Sequence, residues 1–233
     1  MTESENILIG TIPAELVRKP IKNVYIRVYP PDGKVVISVP GRMTTKKIEE
    51  FIDSKRKWIS KQHERLKNVP GQGPMEFVNG EYHSYEGRKY SLRIIEGTKN
   101  ISVRLYDGSI IMSLDKDYDR AAREKLMDAW YRHSMKCKIP GLKEKWEEKM
   151  HLNVSEVRIR KMKTKWGTCN VRDRRIWLSL ELAKYPDSIL EYIFVHEMVH
   201  LMERSHNRRF YALMDKYLPD WKERKKIMRT SPD

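Results

Sequence analysis

The chain has 233 residues, with 47 Lys and Arg against 32 Asp and Glu, so its formal net charge is +15 at neutral pH. It has no run of about 18 apolar residues, which excludes a membrane-spanning helix, and its N-terminus lacks a basic segment followed by an apolar one, so we expect no secretion signal. Its two isolated cysteines are too few for a disulfide scaffold or a four-cysteine zinc site, and we expect a cytoplasmic protein.

The N-terminal part is rich in β-branched and aromatic residues. Residues 24–29 and 35–39 predict two strands, and the turn sequence at 30–33 favours a hairpin between them. Over residues 44–67 the apolar residues recur with the period of a helix. Residues 68–75 predict a linker or loop.

A second β-rich stretch covers residues 76–114. Asn79-Gly80 and Asp107-Gly108 are pairs typical of hairpin turns. Residues 116–150 predict a long helical region that breaks near Pro140-Gly141.

The last third of the chain predicts a short β-hairpin followed by helices. Residues 154–162 and 174–180 predict the two strands of the hairpin. Residues 187–202 predict a buried helix, because apolar residues surround most of its surface, and residues 206–229 predict one or two more.

These elements predict an α+β protein with a boundary near residue 115. The β-rich N-terminal part would span residues 1–114, and the mainly helical part with the hairpin would span residues 115–233. Nothing in the sequence indicates the oligomeric state.

The buried helix carries the sequence H-E-x-x-H at positions 196–200. His196 and His200 lie one turn apart on the same face, so both imidazoles can reach one metal ion, and Glu197 can address a water that the metal activates. Ser188 and Glu191 have the spacing of a capping box at the start of this helix. The alternative is a pair of core histidines that form local hydrogen bonds, with Glu197 paired to a lysine.

A catalytic zinc site needs a third protein ligand, and His206 is the candidate we favour. It follows five residues after His200, and Ser205 can cap a new helix with His206 on its first turn. Glu203 and Glu223 remain alternatives. The metzincin pattern requires glycine at the position of Glu203, so this motif is a different one.

Three segments resemble the YgjP-like metallopeptidase family. Residues 196–211 match its zinc segment with the sequence HEMVHLMERSHNRRFY, which is also similar to the zinc segments of WLM and SprT-like metalloproteases. Residues 163–169 match its W-G-S-C element, with Thr168 in place of the serine, and residues 218–222 match its P-D-[WY] element. The resemblance extends over roughly residues 20–229.

This resemblance implies a zincin-like catalytic unit in the C-terminal part. His196, His200 and His206 would bind zinc, and Glu197 would act as the general base. The reaction would be zinc-dependent hydrolysis of a peptide bond in a peptide or protein substrate.

Several neighbouring residues are candidates for substrate binding. Gly167 allows a tight turn, Trp166 offers an apolar wall, and Tyr211 and Arg208 are candidate oxyanion donors. Cys169 is either a fourth zinc ligand, which would make the site structural, or a small buried residue.

The basic residues and the second hairpin strand suggest how substrates bind. The strand at 175–179 can present an edge along which a peptide lies. Basic clusters favour acidic peptides, nucleotides or nucleic acid, although a solubilising surface explains them equally well. The clusters lie at residues 158–165, 172–175, 204–209 and 222–229. Two alternatives therefore remain: a metal-dependent nucleotide phosphohydrolase, and a nucleic-acid-binding module with a structural zinc.

Overall fold

The computed structural model describes residues 4–29, 33–67, 75–162 and 164–229. The chain forms two compact units, residues 1–75 and 76–233. This division differs from the expected boundary near residue 115, because the β-strands after residue 76 pack on the helix that follows them. For example, the Tyr131 hydroxyl donates a 2.8 Å hydrogen bond to the Ser84 carbonyl.

The first unit is a four-stranded sheet followed by a helix. Its strands have the order β1-β2-β4-β3, with β2 parallel to β4 and the other pairs antiparallel. The elements are β1 (Ser4–Ile9), β2 (Ile12–Lys19), β3 (Tyr25–Tyr29), β4 (Lys34–Pro40) and α1 (Thr45–Lys67). Alternate residues of β4 and one face of α1 form a buried apolar core. The predicted strands and helix are confirmed, whereas most of the predicted turn (30–32) and linker (68–74) lies outside the described residues.

The second unit begins with a sheet of the same topology, although the sequence shows no repeat. Its strand order is β5-β6-β8-β7, again with a parallel central pair. The strands are β5 (Tyr82–Tyr85), β6 (Arg88–Ile95), β7 (Ser102–Tyr106) and β8 (Ser109–Ser113).

One of the two predicted hairpin turns in this sheet is confirmed. Asp107 and Gly108, with φ of 46° and 67°, join β7 to β8. Asn79-Gly80 instead precedes β5, and the Asn79 side chain accepts a 2.6 Å hydrogen bond from the Ile94 amide. The β5–β6 turn is formed by Glu86-Gly87 with φ of 50° and 78°.

The long helix α2 (Arg120–Met150) continues through Pro140, so the predicted break is wrong. Proline costs about 3 kcal/mol in a helix interior. Buried side chains on both sides of Pro140, such as Met135 and Trp146, hold both halves against the core and outweigh that cost. No helix in the described ranges is long and apolar enough to cross a membrane.

A small third sheet and three helices complete the second unit. They are β9 (Glu156–Arg160), β10 (Gly167–Asn170), β11 (Arg175–Ser179), a 3-10 helix (Leu180–Lys184), α3 (Asp187–Val199), α4 (Arg208–Tyr217) and α5 (Trp221–Arg229). The strand order is β10-β11-β9, with β9 parallel to β11. The hairpin therefore consists of β10 and β11, and not of the two strands predicted to form it. The strand predicted to present an edge, at residues 175–179, is β11, which is the central strand of this sheet. The edge strand of the hairpin is therefore β10.

Candidate metal centre and its cleft

The helix α3 carries the H-E-x-x-H sequence and is almost entirely buried. It begins after Pro186 without a side-chain cap, so the predicted capping box is wrong. Glu191 instead accepts hydrogen bonds from Lys145 (2.6 Å), Trp146 (3.0 Å) and Arg224 (2.6 Å). These contacts connect α3 to α2 and α5, and so position the helix that presents the histidines.

Three imidazoles converge at the end of α3. The ligand atoms of His196, His200 and His206 lie within 4.8 Å of one another, and the Nε2 atoms of His196 and His206 are 3.0 Å apart. His206 lies in the turn before α4, and not on its first turn as expected. Asn207 caps this helix instead of Ser205, by accepting a 3.0 Å hydrogen bond from the Phe210 amide.

Phe210 forms the floor beneath the three imidazoles. Its side chain is fully buried, and its ring centroid lies 4.9 Å from that of His196, 4.8 Å from that of His200 and 4.6 Å from that of His206. An apolar floor of this kind restricts the directions in which the three rings can turn.

A backbone carbonyl defines the tautomer of His200. The carbonyl oxygen of Glu203 lies 3.1 Å from Nδ1 of His200. Because a carbonyl can only accept, Nδ1 carries the proton and the lone pair of Nε2 is available to a metal ion. Glu203 therefore orients His200 through its backbone carbonyl group. Its side chain instead accepts a 3.2 Å hydrogen bond from the Ser205 amide.

Burial keeps two of the imidazoles neutral. It lowers the pKa of His196 to about 3, with smaller contributions from His200 and His206. Burial also lowers the pKa of His200. Both rings therefore present lone pairs at neutral pH, as metal ligation requires.

Glu197 lies beside the histidines and is only 5% exposed. Burial raises its pKa to about 8, although the nearby Lys165 ammonium lowers it. Gly167 of β10 lies directly against this side chain, since a β-carbon at position 167 would lie 2.7 Å from Oε1. The sequence predicts a tight turn at Gly167, but this residue lies in the strand β10. Glycine is required there because a side chain would collide with Glu197.

Cys169 is half-buried on β10. Burial, followed by the charge of Glu197, raises the pKa of its thiol to about 12. Among the described residues the group of converging metal-binding side chains contains the three histidines, without Cys169, Glu203 or Glu223.

Two cavities meet at the histidines, which makes the site the middle of a cleft. The cavity on one side has a volume of about 480 Å³ and a largely apolar wall. The cavity on the other side, here called the polar cavity, has a volume of about 760 Å³ and is lined mainly by polar and charged residues. His196, His206 and Glu197 line both cavities.

Three of the four predicted substrate-binding residues line this cleft. Trp166 and Tyr211 border the apolar cavity, and Gly167 borders both cavities. Arg208 lies at the start of α4 and borders neither cavity.

Sequence reasoning missed two aromatic residues of the apolar wall. Trp221 stacks between Tyr192, at a centroid distance of 6.5 Å, and Tyr211, at 5.6 Å. The P-D-W sequence at positions 219–221 was the available signal for Trp221. Tyr192 carries no such signal, because a buried helix is expected to be aromatic and apolar.

Comparison with known proteins agrees with this arrangement. The model of the YgjP-like family, a metallopeptidase domain, matches residues 22–231. The chain belongs to the YgjP-like metallopeptidase family. It is therefore a metal-dependent hydrolase of the peptidase class.

Two further comparisons add little to the family assignment. The crystal structure of the metallopeptidase zymogen of Pyrococcus abyssi abylysin is 23% identical, with 40% of this chain and 92% of that chain covered and a TM-score of 0.37. No curated protein in the comparison matches this chain significantly.

Proposed function

We propose that this protein is a zinc peptidase in which His196, His200 and His206 hold the metal and Glu197 is the general base. The observation that carries the proposal is the convergence of three imidazoles beside one buried carboxyl group in an open cleft. The family assignment supports hydrolysis with a metal ion and leaves the identity of that ion to experiment.

The donor set fits zinc. Neutral imidazole nitrogen is a preferred zinc ligand, and three protein ligands leave one coordination position for water or substrate, as catalytic zinc sites require. Bound zinc would lower the pKa of water and polarise a carbonyl group.

Glu197 has the position that a general base needs, beside the histidines and on the wall of both cavities. A group whose pKa lies near neutrality can accept a proton from the attacking water and return it to the leaving amine. Burial raises the pKa of Glu197 to about 8, and the positive charge of a bound metal ion would lower it and favour the carboxylate form that accepts the proton. Gly167 brings β10 close to this carboxyl group, so the carboxyl group lies between the two cavities.

The edge of β10 supports a peptide as the substrate. In the described part of the chain β10 pairs with β11 alone, so its other edge can accept an extended peptide through backbone hydrogen bonds. Residues Gly167–Asn170 also line the polar cavity, so a peptide bound on this edge would lie alongside the histidines.

The structural-zinc alternative requires a fourth protein ligand, for which Cys169 was the candidate. Its thiol does not join the three converging imidazoles, and burial favours its protonated form. Three ligands therefore favour the catalytic role. The nucleotide phosphohydrolase alternative would use the same metal centre and the basic residues of the polar cavity, and it serves as an outcome of the test.

The test combines metal analysis with assays of hydrolysis of an unstructured protein and of nucleoside triphosphates. Four proteins are compared: wild type, Glu197→Gln, His206→Ala and His133→Ala. Wild type and Glu197→Gln should each hold one zinc per chain, and His206→Ala should lose most of it. Only wild type and His133→Ala should cleave the substrate. His133 is the matched control because it lies on α2 and borders neither cavity.

Three results would contradict the proposal. Zinc that is unaffected by His206→Ala would reject this ligand, and undiminished cleavage by Glu197→Gln would reject the base. Hydrolysis of nucleoside triphosphates without cleavage of protein would favour the phosphohydrolase.

A further inference from the structure

The two sides of the cleft differ in chemistry. The apolar cavity is bordered by Tyr192, Tyr211 and Trp221, whose rings stack on one another. Its volume of about 480 Å³ falls in the range of about 300–1,000 Å³ that is usual for ligand pockets. This side suits a large apolar side chain, because such a side chain would exchange water for aromatic surface.

The polar cavity carries positive charge. Arg172, Arg204 and Lys165 border it, and Glu197 is the acidic residue among its lining residues. Lys165 also borders the apolar cavity, so it lies near the junction of the two sides.

The two arginines of the polar side are available to a ligand. Both are exposed, and neither forms an ion pair with a carboxylate among the residues that the structure describes. Other arginines of this unit are paired: Arg175 with Glu156 at 2.8 Å, and Arg224 with Glu191 at 2.6 Å. A guanidinium without a carboxylate partner at a cleft wall favours a carboxylate from the ligand.

The apolar side also has cations, Lys165 and Lys225. Lys225 borders this cavity, and its Nζ lies 5.6 Å from the centroid of the Trp221 ring. This is the geometry of a cation–π contact, so Lys225 adds to the aromatic wall. The two sides therefore differ in the aromatic surface of one and the two arginines of the other.

The strand β10 connects the two sides in chain order. Trp166 borders the apolar cavity, Lys165 and Gly167 border both cavities, and residues 168–172 border the polar cavity. A peptide extended along this segment would pass the histidines between the two cavities. The residues on either side of its scissile bond would then meet opposite environments.

We infer that the preferred substrate is a peptide with a large apolar side chain on one side of the scissile bond and acidic side chains on the other, and that Arg172 and Arg204 determine the acidic preference. This inference rests on the proposed peptidase function. The two arginines act on substrate selection and not on the reacting atoms.

The test uses the zinc-loaded full-length chain and synthetic peptides. Each peptide has Phe next to the scissile bond and two Glu or two Gln residues on the other side, in both chain orders. In at least one order kcat/KM for the Glu peptide should exceed that for the Gln peptide by about tenfold or more at low ionic strength. Replacement of Phe by Ala in the peptide should lower kcat/KM by about tenfold or more.

Two double variants separate the local contacts from the overall charge. Arg172→Glu with Arg204→Glu should abolish or invert the preference for Glu. Arg93→Glu with Arg104→Glu changes the net charge equally, on β6 and β7, and should retain the preference. Zinc content should equal that of wild type in both variants, because all four arginines are exposed.

The contrary outcomes are equally specific. Equal rates for Glu and Gln peptides in both orders, or a preference that survives the Arg172 and Arg204 changes, would overturn the inference. Binding of the same peptides to zinc-loaded Glu197→Gln gives an independent readout. A Glu preference in binding without cleavage by wild type would reject the peptidase and leave only the acidic preference of the two arginines, and an absence of both would reject both.

Discussion

Gly167 of β10 and Glu197 of α3 are in such close contact that no larger residue fits at position 167 without displacing the carboxyl group. A β-carbon there would lie 2.7 Å from Oε1, 2.8 Å from Cγ and 3.0 Å from Cδ of Glu197. The constraint comes from space and not from backbone conformation, since Gly167 is not among the glycines with positive φ.

We predict that Gly167→Ala displaces Glu197 and lowers kcat/KM by about 100-fold while zinc remains bound. Steady-state kinetics and metal analysis check this. Gly141→Ala is the control, because nothing lies within 4 Å of a β-carbon there and alanine suits a helix interior better. Unchanged activity in Gly167→Ala would show that the position of the carboxyl group is unimportant.

We predict that Phe210→Leu weakens zinc affinity by about 10–100-fold, because a smaller floor leaves the three imidazoles less restricted. Phe194→Leu is the control, since Phe194 is also fully buried but belongs to the body of α3. Both variants should lose a similar free energy of unfolding in the metal-free protein, roughly 1–2 kcal/mol. Equal zinc affinities for the two variants would argue against a positioning role for Phe210.

We predict that Gly87→Ala destabilises the protein more than Gly108→Ala. Both glycines have positive φ, at 78° and 67°, so each substitution should cost about 1–2 kcal/mol from backbone strain. Only at Gly87 would the new β-carbon also collide with Pro186, at 2.5 Å from Cγ, and overpacking should add roughly 1–3 kcal/mol. Because Pro186 precedes α3, zinc affinity should fall too. Denaturant unfolding measures the free energy of unfolding, and zinc titration measures the affinity for zinc. An equal loss of unfolding free energy in the two variants would exclude the collision with Pro186.

We predict that the ion pairs of Glu191 stabilise the fold in a pH-dependent way. Burial alone would raise its pKa, but hydrogen bonds from Lys145, Arg224 and Trp146 outweigh burial and lower the pKa below 4.5. A lowered pKa means that the stabilisation is complete above the unfolded value and is lost as the pH falls through the folded value.

Glu191→Gln should therefore reduce the free energy of unfolding by roughly 1–3 kcal/mol at pH 7, and the difference from wild type should shrink below about pH 4.5. Urea unfolding of both proteins across this range provides the measurement. Glu144→Gln, at an exposed position of α2, should change little at any pH. A difference that stays constant down to pH 3 would mean that the charge of Glu191 contributes nothing.

Much of the secondary structure could be predicted because its signals are local. The apolar period of 44–67 predicted α1, and Asp107-Gly108 predicted the β7–β8 turn. The misses are places where distant contacts override a local signal. Pro140 stays inside α2 because the helix is packed on both sides of it, and Glu191 bonds to α2 and α5 instead of capping α3.

The sequence by itself indicated the catalytic chemistry that we propose, because helical spacing places His196 and His200 on one face, Glu197 directly follows the first of them, and three segments resemble the YgjP-like family. Only the tertiary structure decided that β10 is the edge strand, that Phe210 lies under the three rings and that the cleft has one apolar and one cationic side. Such features depend on strand order and on contacts between residues far apart in the chain. A local pattern contains no information about either, because register and packing are settled only when the whole unit folds.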